Sequence, residues 1–203
     1  MNSSAPAAPR RRAIFFSVAA IFMLPLAIAI WLYYAPAAWR PAGSVNHGAL
    51  IQPAHPLPAL ALPTMDGGAT AADFLRHRWT LIYVGSGQCG ARCHDALYQM
   101  RQVRLALNQD MDRVQRLFIA TDPCCDREFL AREHPGLIVV PGNSAEAAEL
   151  IALLPTDAGP AGDAGRIYFA DPLGNLMMAH PRDSQPKELL EDLKRLLKLS
   201  QIG

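Results

Sequence analysis

The sequence predicts an α/β fold, with a central mixed sheet flanked by helices and an N-terminal transmembrane helix. Three observations support this prediction. A strand–helix–strand succession occupies residues 80–121, and a two-strand hairpin at residues 167–179 is followed by an amphipathic helix. An uncharged apolar run at residues 13–34 precedes them all.

The apolar run at residues 13–34 matches the roughly 20 residues that a helix needs to cross a bilayer. Three arginines at residues 10–12 precede it, so residues 1–12 are expected to stay in the cytoplasm while the rest crosses. The alternative is a signal peptide cleaved at the small residues 35–38. Signal sequences usually have an apolar region of about 7–15 residues, so the longer run favours an uncleaved anchor.

Composition and layout restrict the partners and the compartment. A formal net charge of +1 gives no basic footprint, so no nucleic-acid partner is expected. Residues 35–58 are rich in proline and alanine and are predicted to form an extended tether, followed by a domain at residues 59–203. The domain is expected on the periplasmic side of a bacterial inner membrane, an oxidising compartment where disulfides persist.

Apolar periodicity and turn residues define the elements of the domain. The strand–helix–strand spacing predicts parallel strands with a right-handed crossover. Asp171 to Gly174 has the residue preferences of a type I turn, so the strands beside it are expected to be antiparallel. A capping pair, Asn143 with Glu146, is expected to start a helix. The predicted strands are 80–84, 114–121, 137–140, 167–170 and 176–179. The predicted helices are 91–108, 128–133, 145–154 and a last one that starts near residues 184–186, and one or two helical turns at 71–77, a small hairpin at 60–68 and a loop at 156–165 complete the domain.

Two cysteines, Cys89 and Cys93, lie where the first main strand gives way to a helix. A thiol at a helix N-terminus lies near unsatisfied N–H groups and the positive end of the helix dipole, which favour the thiolate. On a regular helix such residues have Cβ atoms about 5–6 Å apart, and a disulfide needs roughly 3.5–4.5 Å. Cys89 can therefore bridge Cys93 only if it lies in the loop or the first turn deforms. As thiolates they suit Cu(I), so the pair predicts redox or soft-metal chemistry; two unrelated buried cysteines are the alternative.

A second pair, Cys124 and Cys125, follows the next strand. Neighbouring parallel strands end at the same edge of a sheet, so the two cysteine-bearing loops are expected side by side. The hypothesis is a cluster of four thiols, acting as an internal disulfide relay or as a thiolate copper site. A structural or merely exposed pair is the alternative, because spacing does not fix connectivity.

Four other side chains, two histidines and two methionines, are weaker candidates for auxiliary ligands. His94 follows Cys93 and could supply an imidazole ligand or tune the thiolate, although a helix-surface histidine is often ordinary. Met177, Met178 and His180 are soft or borderline ligands in the last predicted strand. Side chains alternate along a strand, so one of the two methionines is expected in the core.

A strand–helix–strand unit, a hairpin and a terminal helix, with a dithiol after the first main strand, form a thioredoxin-like plan. Residues 59–200 resemble the Sco/SenC family, the membrane-anchored, thioredoxin-like proteins of cytochrome c oxidase assembly. The resemblance rests on three motifs in order: the strand, glycine loop and C-x3-C of Leu81 to Cys93, then Asp122-Pro123, then Tyr168 with the Asp-Pro-x-Gly of residues 171–174.

The resemblance implies copper binding by both cysteines and by a histidine five residues before Tyr168. That position is Asp163 here, and the proline that usually follows each cysteine is replaced by Gly90 and His94. A carboxylate is a hard ligand that replaces imidazole poorly on Cu(I). The thiol–disulfide role implied for such proteins, which keeps the cysteines of the oxidase copper site reduced, needs no histidine.

The predicted function is therefore a membrane-anchored thiol–disulfide oxidoreductase or copper chaperone in assembly of the oxidase copper site. Cys89 and Cys93 would be the catalytic residues and the copper ligands. The expected partner is a cytochrome c oxidase subunit or another copper or thiol assembly factor. The alternative is a non-enzymatic thioredoxin-like adaptor whose cysteines are structural. A thiol peroxidase is not expected, since Cys89 lacks the Pro-x3-Thr-x2-Cys arrangement.

Overall fold

The computed structural model describes residues 8–34, 45–122, 127–157, 159–200 and 202. It divides the chain into two compact units, residues 1–45 and residues 46–203. The first unit contains helix α1, Ala8–Tyr34. Within it, Ala13–Tyr34 is long and apolar enough to cross a membrane, as predicted from the uncharged run.

The second unit is built on a six-stranded mixed sheet in the order β1-β6-β5-β2-β3-β4. Strands β2, β3 and β4 are mutually parallel, and β5, β6 and β1 add antiparallel pairs on the other side of β2. The predicted α/β fold with a mixed sheet is thus confirmed. The strands are β1 Ala49–Pro56, β2 Trp79–Gly85, β3 Val114–Ala120, β4 Leu137–Pro141, β5 Ile167–Ala170 and β6 Asn175–His180. The helices are α2 Ala91–Leu105, a 3₁₀ helix at Asn108–Arg113, α3 Arg127–Glu133, α4 Ala145–Ala152, α5 Ala161–Ala164 and α6 Pro186–Leu199.

Strand β1 corrects the predicted tether. Residues 49–56 lie inside the stretch 35–58 that was expected to be an extended linker, yet they pair antiparallel with β6. The strand contains Pro53 and Pro56 and is almost wholly exposed, so it has neither the apolar alternation nor the composition that indicates a strand. Proline is tolerated there because β1 is an edge strand. The second unit accordingly begins at residue 46, and residues 35–44 of the predicted tether lie outside the described residues.

Two apolar cores cover the two faces of the sheet. All seven residues of β2 are buried, because helices cover the sheet on both sides. Leu81 and Tyr83 belong to the core beneath α2 and α6, while Ile82 belongs to the core on the opposite face, together with α4. The alternation of β2 therefore places Tyr83 on the same face as the two cysteines of the dithiol.

Local differences from the predicted elements have simple causes. Helix α2 ends at Leu105, and the chain continues as the 3₁₀ helix. The N-cap of α4 is Ser144, whose hydroxyl accepts a hydrogen bond from the Ala147 N–H at 3.1 Å, and not Asn143. The predicted turn at residues 171–174 is confirmed by the Gly174 N–H, which donates to the Asp171 carbonyl at 2.9 Å. Residues 161–164, expected to be loop, form α5.

A buried carboxylate fastens the start of this unit to α6. Asp192 is fully buried, and its Oδ2 accepts hydrogen bonds from the backbone N–H groups of His47 at 2.8 Å and Gly48 at 2.9 Å. His180, also fully buried, has its Nε2 3.3 Å from the same oxygen. A Cβ at Gly48 would lie 2.8 Å from that Nε2, so the close approach depends on glycine.

Candidate dithiol site

The loop between β2 and α2 is held by a carboxylate from the neighbouring strand. Asp122 follows β3, and its Oδ1 accepts hydrogen bonds from the Gly87 N–H at 2.7 Å and the Ser86 hydroxyl at 3.2 Å. The Cys89 N–H donates to the Ser86 carbonyl at 3.0 Å, closing a tight turn. Parallel strands β2 and β3 end together, and this brings the two motifs quoted from the sequence to one edge of the sheet.

Cys89 and Cys93 form a disulfide with their Cα atoms 4.9 Å apart. Cys89 lies in the loop with a φ of 40°, in the left-handed region, and α2 begins two residues later at Ala91. Cys93 lies in the first turn of that helix. Of the two ways in which the sequence allowed this bridge, the structure uses the first, a loop position for Cys89.

The surroundings of the disulfide favour a thiolate once it opens. The first turn of α2 contains no acidic residue, and its N-cap Gly90 makes no side-chain cap. The N–H groups of the first turn and the positive end of the helix dipole therefore act on the Cys93 sulfur. Cys89 is 8% exposed and Cys93 4% exposed, so Cys89 is the more accessible half of the bridge.

Tyr83 lies beneath this loop, and sequence reasoning did not select it. A Cβ at Gly85 would lie 2.9 Å from Tyr83 Cε1 and 3.2 Å from the hydroxyl oxygen, so the phenol folds back over that glycine. Its ring stacks on Phe118 at 5.9 Å between centroids. Burial raises the pKa of Tyr83, and Arg92 and Arg182 partly oppose that shift. Tyr83 is therefore a protonated hydrogen-bond donor at neutral pH. The sequence feature that could have pointed to Tyr83 is its position two residues before the glycine that ends the strand.

The other predicted ligands have structural surroundings of their own. His94 is exposed, and its ring packs edge-on against Phe129 with centroids 4.7 Å apart. Met178 is buried in the core beneath α2 and α6, as expected for one of the two methionines, and Met177 is half-buried and packs against the same core. His180 pairs with Asp192 instead of facing the dithiol.

Asp163, the counterpart of the histidine that the resemblance implies, is exposed on α5. The neighbouring Gly162 touches the end of β3, since a Cβ there would lie 2.9 Å from Thr121 Cγ2. The short helix α5 therefore lies against the sheet edge that carries Asp122. Cys124 and Cys125 lie outside the described residues, so the four-thiol cluster stays a prediction.

The described residues do not fit the copper site that the resemblance implies. Within the described ranges, no group of three or more histidine, cysteine, aspartate or glutamate side chains could hold a metal ion. The two cysteines are joined as a disulfide and, when reduced, would supply only two thiolates. Asp163 is a hard carboxylate at the third position.

Comparison with known families assigns the fold. Residues 79–200, more than half of the chain, match the family described as "Transmembrane-like, thioredoxin-like, C-terminal domain". The chain belongs to this thioredoxin-like family. The predicted thioredoxin-like fold is confirmed, and the matched range contains the dithiol and all strands except β1.

Solved structures show the same fold. Copper-bound ScoI of Bradyrhizobium japonicum is 28% identical, with a TM-score of 0.53 over 71% of this chain and 99% of that one. Apo Sco1 of Thermus thermophilus is 18% identical, with a TM-score of 0.62 over 77% and 99%. A thiol:disulfide interchange protein from Bacteroides sp. is 11% identical, with a TM-score of 0.52 over 73% and 91%. The latter two similarities show the fold alone. The predicted similarity of this thioredoxin-like chain to Sco proteins is confirmed. No curated protein gives a significant match.

Proposed function

We propose that this chain is a membrane-anchored, Sco-type thiol–disulfide oxidoreductase whose redox couple is Cys89 and Cys93. The observation that carries the proposal is the bridge between a loop cysteine and a first-turn cysteine at the carboxyl edge of β2. The similarity to ScoI over 71% of the chain supports a Sco-type role.

The proposed reaction reduces a disulfide in a partner protein. The Cys89 thiolate attacks one partner sulfur and displaces the other as a thiolate, which leaves a mixed disulfide on Cys89. The Cys93 thiolate, stabilised at the α2 N-terminus, then attacks Cys89 Sγ. The partner leaves as a dithiol, and the chain is left with its Cys89–Cys93 disulfide. A second dithiol protein would return the pair to its reduced form by the same exchange.

The proposed setting follows from α1 and the resemblance. Helix α1 would anchor the chain in a bacterial inner membrane, with residues 46–203 on the periplasmic side. The proposed partner is a cytochrome c oxidase subunit or another copper or thiol assembly factor. Disulfide exchange between the reduced full-length chain in detergent micelles and a cysteine peptide disulfide tests the proposal. A Cys89→Ser/Cys93→Ser variant serves as the control.

Copper binding is the second candidate function, and the similarity to copper-bound ScoI is the observation that favours it. We expect Asp163→His to raise the Cu(I) affinity of the reduced chain by at least about tenfold, because imidazole suits Cu(I) better than carboxylate. Anaerobic titration against a competing chelator measures this, with Asp163→Asn as the control. Equal, tight affinity in wild type and Asp163→His would contradict the expectation and require another ligand in place of the histidine.

A further inference from the structure

All three lysines of the chain lie on the exposed face of α6, the last helix. Lys187, Lys194 and Lys198 are exposed, and their spacing places them on one side of the helix. Lys187 Nζ lies 3.8 Å from Glu191, whereas among the described residues neither Lys194 nor Lys198 makes an ion pair with a carboxylate. The second half of α6, residues 193–199, contains no acidic residue. This half of the helix therefore carries the uncompensated positive charge of two lysines.

Exposed apolar side chains adjoin these lysines at the end of α6. Leu199, which directly follows Lys198, is 77% exposed, and Ile202 is 52% exposed. The backbone here is fixed by Arg113, whose Nη2 donates a hydrogen bond to the Ile202 carbonyl at 3.2 Å. Two lysines and two apolar side chains together form a surface that we call the α6 tip: Lys194, Lys198, Leu199 and Ile202. Basic and apolar side chains side by side are the combination that binds the headgroup layer of a membrane.

Two aspartates lie on the 3₁₀ helix beside the α6 tip, and each is paired with an arginine. Asp110 Oδ1 accepts a hydrogen bond from Arg113 Nη1 at 3.1 Å, and Asp112 Oδ1 accepts one from Arg104 Nη2 at 3.3 Å. These two ion pairs contribute no net charge. The α6 tip therefore keeps the positive charge of its lysines.

The α6 tip lies at the edge of the sheet opposite the dithiol. Arg113 directly precedes β3, so its hydrogen bonds to the end of α6 place the tip at the amino edge of that strand. Cys89 follows the carboxyl edge of β2, which is parallel to β3. The length of β3 is about 20 Å, so a ligand bound to the tip would leave the dithiol open to a partner.

The chain enters the second unit against α6. Asn46 Oδ1 accepts a hydrogen bond from Arg195 Nη1 at 3.4 Å, and the His47 N–H donates to Asp192 at 2.8 Å. In the sequence, residues 35–45 separate Asn46 from Tyr34, where the apolar span ends, and even a fully extended chain of that length covers only about 40 Å. A chain anchored through α1 would therefore keep α6 within reach of the bilayer surface.

We propose that the α6 tip binds the anionic phospholipid headgroups of the membrane that holds α1. Lys194 and Lys198 pair with lipid phosphates, while Leu199 and Ile202 enter the headgroup layer. An acidic protein surface would also attract the lysines, but the exposed apolar side chains and the short connection to α1 favour the bilayer. The proposal rests on the membrane anchor of the proposed function and not on its redox role. It adds an orientation, in which the dithiol points away from the bilayer surface.

Acylation of lysine amines tests the proposal, because α6 carries every lysine of the chain. The full-length chain is reconstituted into lipid nanodiscs made of phosphatidylcholine, either alone or with about one third phosphatidylglycerol, an anionic lipid. Brief treatment with an N-hydroxysuccinimide ester, followed by mass spectrometry of the peptides, gives the acylation rate of each lysine in each kind of nanodisc.

The three lysines are expected to respond differently. Contact with anionic headgroups shields an amine and holds it as the unreactive ammonium ion, so Lys194 and Lys198 should react about fivefold more slowly in the anionic nanodiscs. Lys187 lies about 16 Å from Lys198 along the helix axis, which is more than a Debye length. Its rate should change by less than about twofold, and added salt should reduce the difference at the other two lysines.

A variant of the α6 tip keeps both lysines as reporters. Leu199→Asp should bring the rates at Lys194 and Lys198 in anionic nanodiscs close to those in neutral nanodiscs, because a carboxylate at the tip repels lipid phosphate. Leu153→Asp is the matched control, since Leu153 is exposed at the end of α4, on the opposite face of the sheet. It adds the same charge and should keep the wild-type rates. Equal effects of the two substitutions would contradict binding through the tip.

Two results with the wild-type chain would overturn the proposal. One is an equal rate at Lys194 and Lys198 in the two kinds of nanodisc, which is expected if the tip binds an acidic protein instead. The other is the same slowing at all three lysines, which would reflect the surface potential without contact. Failure of the membrane anchor looks different, because the chain would then elute apart from the nanodiscs, and this would refute the anchor and the proposal together. Failure of the redox role would leave the acylation rates unchanged and abolish the exchange that depends on Cys89 and Cys93.

Discussion

Replacing Cys89 with serine is expected to lower the rate of disulfide exchange by roughly three orders of magnitude or more, because the attacking sulfur is lost. Cys89 is assigned this role because it lies in the loop and is more exposed than Cys93. Exchange with a cysteine peptide whose sulfur carries a 2-thiopyridyl group, followed by release of 2-thiopyridone, measures the rate.

Replacing Cys93 with serine should have a different outcome. The first attack by Cys89 would still occur, but the mixed disulfide would persist because no second thiol resolves it. A non-reducing gel or intact-mass measurement should show the peptide attached to the Cys93→Ser variant and absent from the Cys89→Ser variant. The reverse pattern would show that the two roles are exchanged.

Removal of the buried carboxylate is expected to have the largest effect on stability. Asp192→Ala should lower the free energy of unfolding by about 3–5 kcal/mol, because the buried polar groups around Asp192 would lose the carboxylate that satisfies them. The backbone N–H groups of His47 and Gly48 would lose their acceptor, and Arg195 Nη1 would lose the carboxylate 3.6 Å away. Denaturant unfolding of the full-length chain in detergent measures the change.

The preceding residue on α6 provides a matched control for Asp192. Glu191 pairs with His47 Nε2 at 2.9 Å, but the pair is exposed, so Glu191→Ala should cost no more than about 1 kcal/mol. Equal losses from Glu191→Ala and Asp192→Ala would contradict a buried anchor for residues 46–48.

Two buried histidines, His180 beside Asp192 and His134 after α3, give the stability a pH dependence. Burial lowers the pKa of His180 from 6.5, only partly offset by the charge of Asp192, and burial also lowers the pKa of His134. Between 6.5 and the lowered values the unfolded chain binds protons that the folded chain does not, so stability falls as pH falls through this window. Unfolding measured at about pH 7.5 and about pH 5.5 should show the lower free energy at the acidic value, and an increase would contradict this sign.

The sequence predicted the elements whose side-chain pattern is strong. The continuous apolar run of β2, the helical spacing of α2 and the Asp-Pro-x-Gly turn were each visible and correctly ordered. Strand β1 was missed because its pairing with β6 is a backbone interaction of an exposed, proline-containing edge. Such a strand has no apolar side-chain periodicity from which it could be predicted.

The site was predictable only in part, for a related reason. Cys89 and Cys93 were evident from spacing, and the geometric condition for their bridge followed from helix dimensions. The contact of Arg182 with Gly165 joins two different loops, and the stacking of Tyr83 on Phe118 depends on the pairing of β2 with β3, so neither could be read from local sequence. Asp192 likewise looked like an ordinary charge on an amphipathic helix, and only the fold gives it buried partners.

The reduction potential of the Cys89–Cys93 bridge distinguishes a working redox couple from a structural disulfide. The full-length chain in detergent is equilibrated with glutathione redox buffers, and the oxidised fraction is measured by alkylation and gel shift. A working redox couple is expected to have a potential between roughly −120 and −270 mV, the range of thioredoxin-fold oxidoreductases. A value below about −300 mV, with reduction only when the domain unfolds, would identify a structural disulfide and contradict the proposed redox role of Cys89 and Cys93.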